Sequence, residues 1–340
     1  MTRLLDVSGL SVEFTREGRL GRKGVTFKAV DDVSFGVEAG ETAGLVGESG
    51  SGKSTIGRAI LGLTRPSAGR IAFDGTDLTH LRGRARRDLA SDLQVVFQDP
   101  FGSLNPSLTI GESLAEPLRV HEGNSQAEAA RLVREALDSV GLPADSARRY
   151  PSEFSGGQRQ RVAIARALSV KPRLIVCDEA VSALDRSTQA QVVNLLSELQ
   201  RETGVAYLFI SHDLAVVRHL SKTALVLYRG QMMESGPAGE VSDRPLHPYT
   251  RALLAAVPTA NPKAQRARRR QRALLSSATT VDATRTAPGG CPFAPRCPHA
   301  EAVCWTARPV ASPVGESRVA CHIYDPTSGH TQRTTKRSTA

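Results

Sequence analysis

The sequence contains no long apolar run and no internal repeat. Of its 340 residues, 40% are hydrophobic and 23% are charged. No apolar stretch approaches the roughly 20 residues with which a helix crosses a bilayer. The first residues alternate as in a strand and lack the apolar core of a signal peptide. These absences argue against a membrane-spanning or secreted protein, and we expect the chain to stay in the cytosol.

Short apolar runs predict the strands of a parallel sheet that is buried on both faces. Helical segments separate these runs, so the pattern is that of an α/β fold. The predicted strands are residues 41–46, 93–97, 174–177 and 205–210. Helices are expected at residues 53–63 and 127–140, and the second has its apolar side chains on one face.

Two features divide the chain. The connection from residue 99 to residue 170 is too long for a simple crossover and predicts a helical subdomain inserted into the α/β core. Near residues 241–245 the composition changes to proline, arginine and cysteine. We therefore expect a first domain at residues 1–243 and a small cysteine-rich domain at residues 244–340.

A glycine-rich loop follows the first predicted strand. It reads GESGSGKS and matches G-x-x-x-x-G-K-[ST] between a strand and a helix, which predicts a phosphate-binding loop. Lys53 would bind the β and γ phosphates of ATP, and the Ser54 hydroxyl would bind Mg²⁺. The residues predicted to bind nucleotide are Gly47, Glu48, Ser49, Gly50, Ser51, Gly52, Lys53, Ser54 and Thr55.

Two adjacent carboxylates end the third predicted strand, in RLIVCDEA. Because adjacent side chains point in different directions, Asp178 is placed to hold Mg²⁺ and Glu179 to orient the attacking water. Acids at the end of a buried strand are seldom mere surface residues. The pair predicts hydrolysis of ATP as well as binding. Cys177, inside the strand, is expected to pack as a small hydrophobe.

Residues 154–158, FSGGQ, followed by RQRVAIARAL, closely resemble the signature of the ABC ATPase family. The resemblance implies a P-loop NTPase fold, with a RecA-like core, an antiparallel β region and the inserted helical subdomain. In the family this segment binds the ATP of the opposite subunit, here through Ser155, Gly156, Gly157 and Gln158. One loop and one signature then require a second ABC ATPase, identical or a paralogue, packed head to tail.

The resemblance assigns three further roles. Gln98 would sense Mg²⁺, the attacking water and the transporter; Asp185 would join the two sites across the dimer; and His212 would contact the γ phosphate. The expected catalytic residues are thus Glu179, His212 and Gln98, and the expected Mg²⁺ ligands are Ser54, Gln98 and Asp178. Ala180 stands where the family usually has proline, which removes no chemical group.

The adenine ring is expected to stack on an aromatic side chain near the N-terminus. Phe14 is the predicted platform, and Phe27 is the alternative across a basic insertion at residues 16–28.

Residues 244–258, RPLHPYTRALLAAVP, and residues 99–117 resemble ATPases of the oligopeptide and dipeptide uptake group. The resemblance implies a peripheral subunit at the cytoplasmic face of the membrane that powers peptide uptake. Its partners would be two integral membrane permease subunits and an extracellular solute-binding protein, and it would not touch the substrate itself. Relatives that move nickel, glutathione or short sugars share these motifs.

A soluble ABC ATPase that acts on nucleic acid is the other alternative. Most of the net charge of +10 lies after residue 260, and residues 263–272 read KAQRARRRQR. Such a segment would attract lipid headgroups or nucleic acid. The single cassette and the compact helical insertion favour the transporter.

Four of the five cysteines lie near the C-terminus: Cys291, Cys297, Cys304 and Cys321. Disulfides are rare in the cytosol, so clustered thiols point to a metal. The spacing lacks the paired C-x₂-C motifs of most zinc sites. Four thiolates can hold a [4Fe–4S] cluster, and the resemblance to peptide-uptake ATPases with this pattern implies one; Zn²⁺ is the alternative.

Overall fold

The structure, a computed structural model, describes residues 3–16, 25–256 and 289–332. These residues belong to two compact units, each assembled from three stretches of chain. The first unit takes the described residues within 1–12, 34–43 and 54–211, and the second takes the described residues within 13–33, 44–53 and 212–340. The basic stretch at residues 263–272 lies outside the described residues. Within the described ranges, no helix combines the length and apolar character needed to span a membrane.

The described strands are β1 (Leu5–Arg16), β2 (Val25–Val37), β3 (Thr42–Val46), β4 (Ala68–Phe73), β5 (Thr76–Asp77), β6 (Leu93–Val96), β7 (Leu174–Asp178), β8 (Ala206–Ser211), β9 (Thr223–Tyr228), β10 (Gln231–Pro237), β11 (Ala311–Val314) and β12 (Ser317–Ala320). The described α-helices are α1 (Lys53–Ile60), α2 (Gly83–Asp88), α3 (Pro100–Ser103), α4 (Ile110–Glu122), α5 (Gln126–Ser139), α6 (Gly156–Leu168), α7 (Arg186–Thr203), α8 (Leu214–Leu220), α9 (Ala238–Asp243), α10 (Pro248–Ala256) and α11 (Ala302–Thr306). Short 3₁₀ turns occur at Ala144–Arg148, Pro151–Glu153 and Ala294–Arg296.

A parallel sheet is the core of the first unit. Strand β7 lies between β6 and β8, and both neighbours run parallel to it. Every residue of β7 and β8 is buried, which confirms strands covered on both faces. Because the three strands are parallel, their carboxyl ends lie at one edge of the sheet, where β7 ends at Asp178.

The chain between β6 and β7 forms the helices α3 to α6, which confirms the predicted helical insertion. Local capping explains where these helices begin. Thr109 accepts a hydrogen bond from the backbone N–H of Glu112, and the Glu112 carboxylate accepts one from the Thr109 N–H. Ser125 caps α5 in a similar way through its hydroxyl. The helix α5 buries Ala129, Val133 and Leu137 on one face, as its periodicity predicts.

In the second unit, strands β9, β10, β12 and β11 lie side by side in that order, and each pair is antiparallel. Glu234 of β10 is opposite Val319 of β12, so residues near the C-terminus extend the sheet that contains β9 and β10. The described cysteine-bearing segment belongs to this unit and does not form a compact unit of its own. The expectation of a separate cysteine-rich domain is therefore not supported, because backbone pairing joins this segment to β10.

Candidate functional site

The phosphate-binding loop lies between β3 and α1 and has a shape that requires glycine. Gly52 has φ +104°, and a Cβ atom at this position would lie 2.3 Å from the carbonyl oxygen of Ala29. Lys53 is buried, and its Nζ donates hydrogen bonds to the carbonyl oxygens of Gly47 at 2.8 Å and Glu48 at 3.0 Å. The loop thus holds a buried ammonium group among its own backbone groups.

Ser54 and Asp178, two of the predicted Mg²⁺ ligands, lie together. The Ser54 hydroxyl donates a hydrogen bond of 2.7 Å to Oδ1 of Asp178. Asp178 is the last residue of β7 and is buried. Hydroxyl and carboxylate oxygens are the donors that Mg²⁺ prefers, and Mg²⁺ usually takes one or two protein ligands beside substrate phosphates. The pair fits that ion.

Glu179 follows β7 directly and has an unusual backbone conformation. Its φ is +50°, in the left-handed region that non-glycine residues seldom adopt. The Glu179 N–H donates to the carbonyl oxygen of Ile210, and the Glu179 carbonyl oxygen accepts from the backbone N–H and the hydroxyl of Ser182. Strained residues are enriched at functional sites, but the role of Glu179 toward the attacking water stays a prediction. Burial raises the pKa of the Cys177 thiol to about 12, so this cysteine packs as an uncharged group.

Gln98 and His212 each follow a core strand. Gln98 lies two residues after β6, at the same edge of the parallel sheet as Asp178 and Glu179, and its side chain is exposed. His212 comes directly after β8 in the chain and is also exposed. The positions agree with the predictions, whereas the predicted contacts of both residues with nucleotide stay predictions.

The signature residues form the first turn of α6. Ser155 is the N-cap: its hydroxyl accepts from the Gln158 N–H at 3.3 Å, and its own N–H donates to Oε1 of Gln158 at 2.9 Å. A Cβ atom on Gly157 would lie 2.4 Å from Cγ2 of Thr188, in the first turn of α7. The second glycine is therefore required by the close approach of two helices, in addition to any contact with phosphate.

Asp185 has a local role that the sequence did not predict. Its carboxylate caps α7 by accepting hydrogen bonds from the backbone N–H groups of Ser187 and Thr188 and from both hydroxyls. The Ser187 hydroxyl, followed by the other donors, holds the pKa of Asp185 well below its usual range. The available signal was an Asp that is followed two and three residues later by Ser and Thr at the start of a helix.

The two alternative adenine platforms are neighbours. The rings of Phe14 and Phe27 stack with their centroids 5.7 Å apart, and both are partly exposed. They form one aromatic surface rather than two separate candidates.

Comparison with known proteins places this site in a family. Residues 30–182 match the family described as ABC transporter, and residues 233–304 match the oligopeptide/dipeptide transporter C-terminal region. The oligopeptide transport ATP-binding protein OppF of Salmonella typhimurium is 47% identical over 95% of this chain and 97% of its own length. This chain belongs to the ATP-binding proteins of ABC transporters. It is therefore an ATPase that uses ATP with Mg²⁺.

Two further comparisons agree with this ABC ATPase. The glutathione import ATP-binding protein GsiA of Pectobacterium atrosepticum is 52% identical over 80% of this chain and 43% of its own length. A dimeric post-hydrolysis structure of the ATP-binding cassette MJ0796, bound to ADP and Pi, has a TM-score of 0.61 and 29% identity. That likeness covers 69% of this chain and 98% of the cassette, which confirms the P-loop NTPase fold of the ABC ATPases.

Burial raises the pKa of each of the four C-terminal thiols of the ABC ATPase. Burial, and then the neighbouring thiols, raise the pKa of Cys291 and of Cys297 to about 12 and that of Cys321 to about 11. In the described ranges, however, no three or more His, Cys, Asp or Glu side chains are arranged to hold a metal ion. The expected [4Fe–4S] cluster and its zinc alternative are therefore not confirmed.

Two residues of the C-terminal part contact the phosphate loop, and neither contact was predicted from the sequence. The guanidinium of Arg296 donates to the two carboxylate oxygens of Glu48 at 2.8 and 2.9 Å. The hydroxyl of Tyr249 accepts from the Glu48 backbone N–H at 2.9 Å. Arg296 and Glu48 are 248 positions apart, so no local spacing could have revealed the pair.

Proposed function

We propose that this ABC ATPase powers the uptake of dipeptides or oligopeptides. The observation that carries the proposal is the joint match of one chain to the ABC transporter family and to the C-terminal region of oligopeptide/dipeptide transporters. In this proposal residues 1–243 hydrolyse ATP, and residues 244–340 form the C-terminal extension that is characteristic of ATPases of peptide transporters. The protein is a peripheral subunit at the cytoplasmic face of the membrane, with two permease subunits and an extracellular solute-binding protein as partners.

The roles of the site residues follow from their chemistry. Lys53 and the backbone N–H groups of the loop bind the phosphates of ATP. Ser54, Asp178 and Gln98 hold Mg²⁺, which neutralises charge on the phosphates when it is bound. Glu179 accepts a proton from, or orients, the attacking water, and His212 donates a hydrogen bond to the γ phosphate.

Hydrolysis in this proposal requires a second ABC ATPase, because the signature serves the site of the opposite subunit. The first turn of α6 presents the N-terminal end of a helix, which favours an anion. Ser155 and Gln158, which cap each other in the free chain, would exchange part of this hydrogen bonding for the γ phosphate. Asp185 would meet its counterpart across the dimer. ATP binding thus favours the dimer, and hydrolysis of ATP allows the two subunits to separate.

A groove in the first unit suits a helix of a permease subunit. It has a volume of about 550 Å³ and lies beside β6, α3 and α6. Phe97 offers an exposed ring at its rim, and Pro117 and Ala163 add apolar surface. Gln98 directly follows Phe97, so a helix seated here would act on a residue that also serves the Mg²⁺ site.

The proposal includes a metal bound by the four C-terminal cysteines. Four cysteine thiols are a donor set that a [4Fe–4S] cluster or Zn²⁺ can take, provided that the metal displaces their protons. The full-length protein, purified without oxygen, should show a broad absorbance near about 400 nm and bound iron. Stoichiometric zinc without that band would favour the alternative, and neither metal would contradict both.

Transport is tested by deleting the gene and measuring the uptake of a labelled tripeptide, of glutathione and of nickel by the cells. Loss of peptide uptake alone, restored by the wild-type gene but not by Glu179→Gln, is the expected result. Loss of glutathione or nickel uptake with normal peptide uptake would contradict the peptide assignment and support that solute instead. Stimulation of ATP hydrolysis by DNA or RNA, with all uptake intact, would favour the nucleic-acid alternative.

A further inference from the structure

An ion pair links the cysteine-bearing segment to the phosphate loop. Arg296 lies one residue before Cys297, at the end of the 3₁₀ turn Ala294–Arg296. Its two Nη atoms donate to the two carboxylate oxygens of Glu48, the second residue of the loop. Such a bidentate geometry fixes the planes of both groups and is stronger than a single contact.

The guanidinium of Arg296 is held in place by aromatic rings. It lies over the ring of Tyr228 at 5.7 Å and over the ring of Phe293 at 5.6 Å, and Nη1 also reaches the Tyr228 hydroxyl at 3.4 Å. Contacts with two rings and a carboxylate restrict this long side chain. Less side-chain entropy is therefore lost when the pair forms than at an open surface.

Glu48 is held by its backbone as well. Its N–H donates to the hydroxyl of Tyr249, a residue of α10 that is fully buried. The ring of Tyr249 packs on Tyr228 at 4.6 Å and on Phe293 at 5.4 Å. One aromatic cluster, Tyr228, Tyr249 and Phe293, thus supports the groups that hold both the side chain and the backbone of Glu48.

The charge of Glu48 gives this arrangement a consequence for ATP. A carboxylate in a loop that wraps phosphates repels a polyphosphate unless a cation neutralises it. Arg296 is such a cation, and it also fixes the conformation of the residue that follows Gly47. The pair is partly exposed, with 37% of the Arg296 side chain and 42% of the Glu48 side chain accessible, so solvent screens its effect.

We propose that Arg296 is a positioning residue for ATP, which acts through Glu48 by neutralising that carboxylate and fixing the phosphate loop. The C-terminal segment thereby sets the affinity of the ABC ATPase for nucleotide. The inference rests on the ATP-binding role of the loop and on neither the transported solute nor a metal at the cysteines.

Titration of the purified full-length chain with fluorescent ATP, ADP and adenosine analogues tests the proposal. Arg296→Ala should weaken ATP binding about three- to tenfold, should weaken ADP binding less, and should leave adenosine unaffected. The KM for ATP should rise with little change in kcat. Raising the salt concentration should shrink the difference from the wild type, because the interaction is electrostatic.

A second substitution separates this electrostatic role from a structural one. Removing the charge with Glu48→Gln should restore ATP affinity in the Arg296→Ala background to within about twofold of the Glu48→Gln single variant. Arg296→Lys, which keeps the charge and loses the bidentate geometry, should fall between the wild type and Arg296→Ala. Arg218→Ala is the matched control, because Arg218 forms a comparable 2.8 Å pair with Asp243 outside the loop.

Three results would overturn the proposal. Unchanged ATP affinity in Arg296→Ala would show that the loop does not depend on the pair. An equal loss for ATP and adenosine, or a loss that persists in the double variant, would indicate local unfolding of the C-terminal segment. Failure of the wild-type chain to bind ATP would instead contradict the function assigned to the loop, so the two failures are distinguishable.

Discussion

Gly157→Ala tests whether the second signature glycine is required by packing. The added Cβ would lie 2.4 Å from Cγ2 of Thr188, about 1 Å closer than an ordinary contact allows. The nearest other Thr188 atoms, Cβ at 3.7 Å and Oγ1 at 3.9 Å, are at ordinary distances. The methyl group alone clashes, so we expect Gly157→Ala to lower the free energy of unfolding by about 1–3 kcal/mol.

Two variants make this prediction specific. In Gly156→Ala the new Cβ would meet Leu184 Cδ2 at 3.8 Å, so this variant should be as stable as the wild type or gain roughly 0.5–1 kcal/mol from helix propensity. Thr188→Ser removes Cγ2 and keeps the hydroxyl that bonds Asp185. Gly157→Ala should therefore cost little when it is added to Thr188→Ser.

Urea unfolding followed by circular dichroism measures these stabilities, and phosphate release measures ATP hydrolysis. Hydrolysis should fall in Gly157→Ala, because the clash displaces the first turn of α6 from α7. It should recover in part with Thr188→Ser. Equal stabilities of Gly156→Ala and Gly157→Ala, or no rescue by Thr188→Ser, would refute the packing explanation and leave contact with phosphate as the reason for this glycine.

Three other predictions follow from the site. Glu179→Gln should abolish ATP turnover, measured as phosphate release, while ATP binding and ATP-dependent dimerisation persist; residual turnover near the wild-type rate would exclude Glu179 as the group that activates water. Gly52→Ala should lose ADP affinity far more than Gly50→Ala, because both glycines have positive φ but only Gly52 meets a backbone oxygen at 2.3 Å; similar affinities would contradict this. Asp185 has a lowered pKa, so its cap stabilises the fold above the ordinary Asp pKa and is lost as the pH falls through the lowered value. Asp185→Asn should thus flatten the acid loss of stability in pH-dependent unfolding, and an unchanged acid profile would argue against the cap.

Regular elements were predictable because their signals are local. The apolar run at residues 174–177 predicted a buried strand, and β7 (Leu174–Asp178) is buried throughout. The periodicity at residues 127–140 predicted a helix within one residue of α5 (Gln126–Ser139). The periodicity of a strand or a helix is a pattern of neighbouring residues, so it can be recognised without knowledge of the fold.

The placement of the C-terminal cysteines was not predictable to the same degree. Their composition suggested a domain of its own, whereas β12 pairs with β10 and joins them to the second unit. Strand pairing between distant segments depends on backbone hydrogen bonds, which carry no residue-specific signal in the sequence. For the same reason, the sequence suggested Phe14 and Phe27 as alternative platforms for adenine, although their rings stack on each other.

The sequence by itself determined the chemistry of this ABC ATPase. The phosphate loop, the adjacent acids of β7 and the signature are contiguous motifs, because phosphate binding at a helix start uses neighbouring backbone groups. Only the tertiary structure decided which side chains support these motifs. Thr188 against Gly157, and Arg296 with Tyr249 around Glu48, are contacts between segments distant in sequence, and they exist only because the packed fold brings those segments together.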